Sequence, residues 1–155
     1  MQVADSLFSI SSDKSKLDLH FVHRFLSQSY WAEGIPIDVV KRSIDGSLCF
    51  GVFDNDRQVG FARVITDEAT FAYLADVFVD EEYRGRGLSK LLMETIINTP
   101  SLQGLRRFLL ATRDAHGLYE KFGFKPLTHT SPWMQIHNPE IYKQPAAAAD
   151  ESSGD

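Results

Sequence analysis

The chain has 155 residues, 43% of them hydrophobic, which suits one domain able to bury roughly two-thirds of the surface its unfolded form exposes. Its 16 basic and 21 acidic residues leave a net charge of -5 with no basic block, which argues against a nucleic-acid groove built on counterion release. Cys49 is the only cysteine, so an internal disulfide and a Cys-cluster zinc site are excluded, and no stretch approaches the ~20 apolar residues of a membrane span.

The expected partner is therefore a small molecule or a peptide. The start, "MQVADSLFSISSDKSK", lacks a basic segment followed by an apolar run, and the chain is read as cytoplasmic. A short apolar opening around Leu7 to Ile10 comes first. The stretch "SSDKSK" then supplies N-caps for a helix on which Leu17, Phe21, Val22, Phe25 and Leu26 share one face. Gly34 and Pro36 interrupt it, and Pro36 suits the first position of a second short helix running to about Ile44.

The period then changes. "SLCFGVF", a "DND" turn and "RQVGFARVIT" predict a hairpin, and "TFAYLADVFV" a third strand. Cys49 falls inside the apolar run and reads as a small buried side chain rather than a nucleophile. Past "EEYRGRGLSK", Leu88, Leu91, Leu92, Thr95 and Ile96 mark one face of a helix that stops near "NTP". "RFLLAT" predicts a strand. "RDAHGLYEKFG" predicts a helix with Asp114 as N-cap and Gly123 as its stop. "FKPLT" and "SPWMQIH" read as closing strands, and residues 144–155 as a disordered tail with little to bury, leaving 1–143 as one domain. The order β-α-α-β-β-β-α-β-α-β-β argues for an α/β protein with a mixed sheet and helices on both faces.

The stretch "EEYRGRGLSK" raises the first chemical question. A helix start offers unpaired N–H groups and the positive end of the helix dipole. Gly85 and Gly87 leave those amides uncovered, and Arg84 and Arg86 add positive charge. The dinucleotide fingerprint fails because Lys90 stands where the third glycine belongs, and no "GKS" or "GKT" is present for a P-loop. On physics alone, an anion site and a plain strand-to-helix turn remain equal readings.

Two stretches together resolve the question differently. "VFVDEEYRGRGLSKLLMETI" followed by "LLATRDAHGLYEKFGF" resembles the Gcn5-related N-acetyltransferases, whose motif is Arg or Gln, two residues, Gly, one residue, then Gly or Ala. Arg84, Gly87 and Ser89 fill that register, with Ser89 a departure small enough to keep its amide accessible. The resemblance implies the fold of that family and a pyrophosphate of acetyl-CoA on the amides of Arg84, Gly85, Arg86, Gly87, Leu88 and Ser89. It implies a pantetheine arm along the backbone of Val77, Phe78 and Val79, as an added strand would lie. Thr112 stands where the family commonly has Asn, and His116 at the mouth of the same groove.

Amine acetylation needs a neutral amine, a stabilised oxyanion and a proton for the departing thiolate. By the resemblance Tyr119 is the general acid, although on the apolar helix face of Leu118 and Phe122 it also reads as an ordinary core tyrosine. Backbone amides near Phe78 would serve the oxyanion. Asp76 is the only carboxylate inside the third strand, placed to accept the amine's proton or to anchor a cationic substrate. Tyr30 and Trp31, with Glu33, lie in the segment that lines the family's acceptor pocket, where packing is the plainer role. His20 and His23 share a helix face without a third ligand, and no metal is expected.

The expected activity is acetyl-CoA-dependent transfer to a primary amine by direct attack, on a small molecule. The alternatives are acetylation of a protein N-terminus or lysine, and a non-catalytic acyl-CoA binding module. "SPWMQIH" either walls the acceptor pocket or serves as a pairing edge, so the chain is a monomer or a homodimer.

Overall fold

The structure, a computed structural model, describes residues 8–143; Leu7 and the expected tail lie outside the described residues. One five-stranded sheet runs in the order β1 (Phe8–Ser11), β2 (Leu48–Asp54), β3 (Arg57–Thr66), β4 (Phe71–Val79) and β5 (Arg107–Leu110). The first four strands pair antiparallel and β5 joins β4 in parallel. A parallel neighbour needs a crossover, and α3 (Leu88–Ile97) supplies it.

Period-2 alternation divides the strand side chains between two cores. Phe50, Val52, Ala62, Val64, Ala72 and Leu74 face α3, whose Leu88, Leu92, Met93 and Ile96 are buried against them. Cys49, Phe61 and Phe78 face the other way, onto Val22 and Leu26 of α1 (Leu19–Ser27) and Val40 and Ile44 of α2 (Ile37–Asp45). Asp18 caps α1 by accepting from the Phe21 amide at 3.1 Å. The Asp18 amide in turn donates to the buried Gln58 at 2.7 Å, which fastens the helix start to β3. Pro36 is the N-cap of α2, one position before the first helical residue.

A bulge interrupts the β3–β4 ladder. Phe61 pairs with Phe78 and Arg63 with Ala75, so Asp76 and Val77 together oppose Ala62. Asp76 takes a left-handed φ of 56° there. The extra residue reverses the alternation: Ala72 and Leu74 point to the α3 core, while Phe78 turns to the opposite one and stacks on Phe25 at 3.8 Å.

Two expectations need correction. The last helix, α4, is only His116–Glu120, and Asp114 does not cap it; the Thr112 hydroxyl instead accepts from the Ala115 amide at 3.1 Å. The closing strands "FKPLT" and "SPWMQIH" do not form, since no residue after Leu110 belongs to a strand among the described residues. Pro126 and Pro132 lack the N–H a ladder needs, and the backbone bonds within 125–143 are short-range turns such as Trp133 N–H to Thr130 at 3.0 Å.

Candidate active site

The β4–β5 ladder runs only from Phe71↔Arg107 to Leu74↔Leu110. Beyond it the two strands part, and β4 from Ala75 to Val79 has no strand neighbour on that side. Between them lies a cleft of about 690 Å³, lined by Tyr30, Trp31, Tyr73, Asp76, Val77, Thr112 and Tyr119 among others. An edge of this kind can receive an extended ligand through main-chain hydrogen bonds. Phe78 and Val79 are buried by their side chains, so anything they give the cleft comes from their backbone.

Asp76 is held on both oxygens. Arg63 Nε donates to Oδ2 at 2.9 Å and Trp31 Nε1 donates to Oδ1 at 2.8 Å. With side-chain exposures of 16% for Arg63 and 9% for Asp76 this ion pair is nearly out of water. Arg63 also donates through Nη1 to the Ser47 hydroxyl at 3.1 Å, which fixes the guanidinium between β2 and β4. One lone-pair direction remains on each carboxylate oxygen.

Tyr119 comes from α4 and is buried, with its ring edge-on to Phe124 at 6.0 Å. Among the described residues its hydroxyl has no hydrogen-bond partner. Burial, with a smaller contribution from Tyr30, pushes that hydroxyl above the usual tyrosine range, so it keeps its proton at neutral pH. Tyr30 and Trp31 meet edge to face at 5.1 Å on the α1–α2 connection. From the β5–α4 connection, Arg113 lies over the Tyr30 ring at 3.7 Å and spans the mouth of the cleft.

Past Val79, where β4 ends, the glycine stretch opens α3. Gly85 and Gly87 have left-handed φ values of 81° and 78°, and a Cβ at either would meet nothing within 4 Å. Their requirement is thus conformational, since other residues strain in that region. Gly87 is the N-cap and no side chain caps the first turn, so the amides at the start of α3 stay free. Leu88 is buried and offers only its amide, while Ser89 is half-buried. Arg84 turns back, donating from Nε to the Val79 carbonyl at 3.1 Å, and Arg86 lies over Tyr83 at 5.0 Å. Tyr83 donates to Asp54 at 2.9 Å, a bond that raises its own hydroxyl pKa and ties the stretch to β2.

Several expected residues stand apart. His116 is exposed at the start of α4 and is not among the cleft-lining residues. His23 Nε2 is 3.0 Å from the Ile35 carbonyl, and no group of three metal-ligating side chains exists among the described residues. Cys49 is buried and its thiol is pushed up to about 11, which removes it as a nucleophile at neutral pH. Sequence reasoning missed Arg63, Tyr73, Arg113 and Tyr142. Arg63 carried a usable signal, a charge inside the apolar run "VGFARVIT", by the same logic that found Asp76. No helix of the described residues is long and apolar enough to cross a membrane.

The family model of the acetyltransferase (GNAT) domain matches residues 45–126, which holds β4, the glycine stretch, β5 and α4. A solved structure of a candidate GNAT-family acetyltransferase from Xanthomonas campestris pv. campestris is 54% identical, with a TM-score of 0.86 over 88% of this chain and 97% of that one. A candidate acetyltransferase of Gibberella zeae is 31% identical, covering 74% of this chain and 76% of its own length. A Clostridium acetobutylicum protein solved with acetyl-CoA shares the fold at 14% identity, with a TM-score of 0.59 over 84% of this chain and 94% of that one. The chain belongs to the GNAT family of N-acetyltransferases.

Proposed function

We propose that residues 1–143 act as one acetyltransferase domain that moves an acetyl group from acetyl-CoA to a primary amine on a small molecule, by direct attack. The observation that carries this reading is the cleft itself, where the open edge of β4, the protonated Tyr119 and the fixed carboxylate of Asp76 line one space.

The residues present fit acetyl-CoA. Of the amides from Arg84 through Ser89 that would take its pyrophosphate, that of Arg84 already donates to the Glu81 carbonyl at 3.4 Å, while no side chain caps the start of α3 and two left-handed glycines set the turn. Val77, Phe78 and Val79 would pair with its pantetheine arm through the backbone. Thr112 already accepts from Ala115 and keeps its own O–H to donate toward the arm. His116 would contribute from the rim only. When bound, the cofactor supplies an activated acyl carbon and a thiol leaving group.

The chain's own residues do the rest. An amine with a solution pKa near lysine's arrives mostly protonated. Asp76 would dock the cation through its remaining lone pairs, and the proton would pass by water to solvent. The amides near Phe78 would face the developing oxyanion, and Tyr119 would give its proton to the departing sulfur. Tyr30 and Trp31 would cover the acceptor, with Arg113 and Tyr142 closing the sides. Tyr30 and Trp31, 54% and 43% exposed at the rim beside the single fixed carboxylate, suit a small amine, and the open rim keeps a protein terminus or lysine side chain as the alternative acceptor. The test compares small amines with peptides by initial rate of thiol release; peptides turned over at least as well as every small amine would reverse the acceptor assignment. Binding of acetyl-CoA without turnover of any amine would favour a regulatory module.

A further inference from the structure

The cleft holds more charge than Asp76 alone. Two arginines and two carboxylates line it, Arg63 and Arg113 with Asp76 and Asp114. Arg63 is committed to the fold, donating to Asp76 at 2.9 Å and to the Ser47 hydroxyl at 3.1 Å. Arg113 is not. Its guanidinium lies over the Tyr30 ring at 3.7 Å, yet among the described residues it donates no hydrogen bond and closes no ion pair. A stack of this kind engages one face of the guanidinium and leaves the N–H donors along its edge, which match the two oxygens of an anionic group. Asp114, its neighbour in sequence, is exposed and is held by no described residue, whereas the stack on Tyr30 fixes where the Arg113 charge sits.

The contacts along the cleft run in a definite order. Arg113 lies on Tyr30, Tyr30 meets Trp31 edge to face at 5.1 Å, and Trp31 Nε1 donates to Asp76 at 2.8 Å. From the exposed rim to the nearly buried carboxylate there follow a cation, two aromatic rings and an anion. Ile35 and Val39 add apolar lining.

We infer that the acceptor is an amine joined through an apolar spacer to an anionic group, its ammonium end at Asp76, its spacer along Tyr30 and Trp31, and its anion on Arg113. This rests on the acetyl-transfer reading proposed above. An uncharged amine would leave Arg113 unmatched, and a diamine would face it with like charge. An anionic end gains charge-assisted hydrogen bonds on a guanidinium that is already positioned, so little ordering cost remains. Carboxylate and phosphate share the chemistry that the edge of Arg113 recognises.

The test measures thiol release from acetyl-CoA with straight-chain ω-amino carboxylates and ω-amino phosphates of increasing length. Each runs beside the alkylamine and the diamine of the same length, for wild type, Arg113→Gln and Arg113→Lys. The readout is kcat/KM for the anionic amine divided by that for its uncharged counterpart. The expected ratio is about tenfold or more in the wild type at one chain length at least, near unity in Arg113→Gln and intermediate in Arg113→Lys. Arg113 is exposed, so both variants should keep the wild-type circular dichroism spectrum. Release on alkylamines with no preference for an anion overturns this inference and leaves the acetyl-transfer reading standing. A preference that survives in Arg113→Gln, a preference for diamines, or an effect of Arg113 confined to the KM for acetyl-CoA overturns it as well. No release on any amine, the anionic ones included, overturns both.

Discussion

At Asp76 a left-handed backbone and a nearly buried carboxylate coincide, with Arg63 on one oxygen and Trp31 on the other. Removing the carboxylate leaves Arg63 buried without its counter-charge, so Asp76→Ala is expected to cost about 3 kcal/mol in urea unfolding. Asn tolerates the left-handed region and keeps an oxygen for one donor, and Asp76→Asn should cost only about 1–2 kcal/mol. Both should lose turnover, because neither keeps the carboxylate proposed to dock the cation. Tyr119 makes a separable prediction. Tyr119→Phe should lower kcat by about a hundredfold, the usual worth of a general acid, while the KM for acetyl-CoA stays within about twofold. Burial raises the Tyr119 pKa, and as the proposed general acid it would act in its protonated form. The alkaline fall in kcat assigned to it should therefore lie above pH 10, the ordinary tyrosine value, and vanish in the Phe variant. An alkaline limb near neutrality that moved with Tyr119 would contradict the assignment.

The elements show what local pattern can and cannot reveal. Helical spacing and turn residues located α1, α2, α3 and the β2–β3 hairpin, because each reports a face buried against its own neighbours. The bulge at Asp76 left no local mark, since a non-glycine residue at positive φ is set by the ladder across from it. The closing segments misled for a related reason: alternation says that one side of a strand wants cover, and says nothing about which strand will pair with it. The partners of Asp76 are equally non-local, being 13 and 45 residues away. At α3, Gly87→Ala should cost about 1–2 kcal/mol from backbone strain alone, because the new Cβ meets nothing. It should also raise the KM for acetyl-CoA roughly tenfold by misdirecting one charge-assisted hydrogen bond. At α4, Thr112→Val removes the acceptor of the Ala115 amide and should cost about 1 kcal/mol, read by thermal unfolding.

Across the whole molecule, the two cores on opposite faces of one sheet hold the cleft between them. The α1–α2 side supplies Tyr30 and Trp31, the sheet supplies Asp76 and Arg63, and α4 on the other side supplies Tyr119. Cys49 lies inside the first of these cores with its thiol raised to about 11, so a thiol reagent at pH 8 should label it only at the rate of unfolding. The proposed reaction is transfer of acetyl from acetyl-CoA to a small amine in this cleft, with Tyr119 as the acid. The most direct measurement is release of free thiol from acetyl-CoA over a panel of small amines, for wild type and Tyr119→Phe together, with a blank lacking acceptor. The expected result is acceptor-dependent release by the wild type, cut about a hundredfold in the variant at unchanged acetyl-CoA affinity. Equal rates in the two proteins, or tight acetyl-CoA binding with no release on any amine, would contradict it.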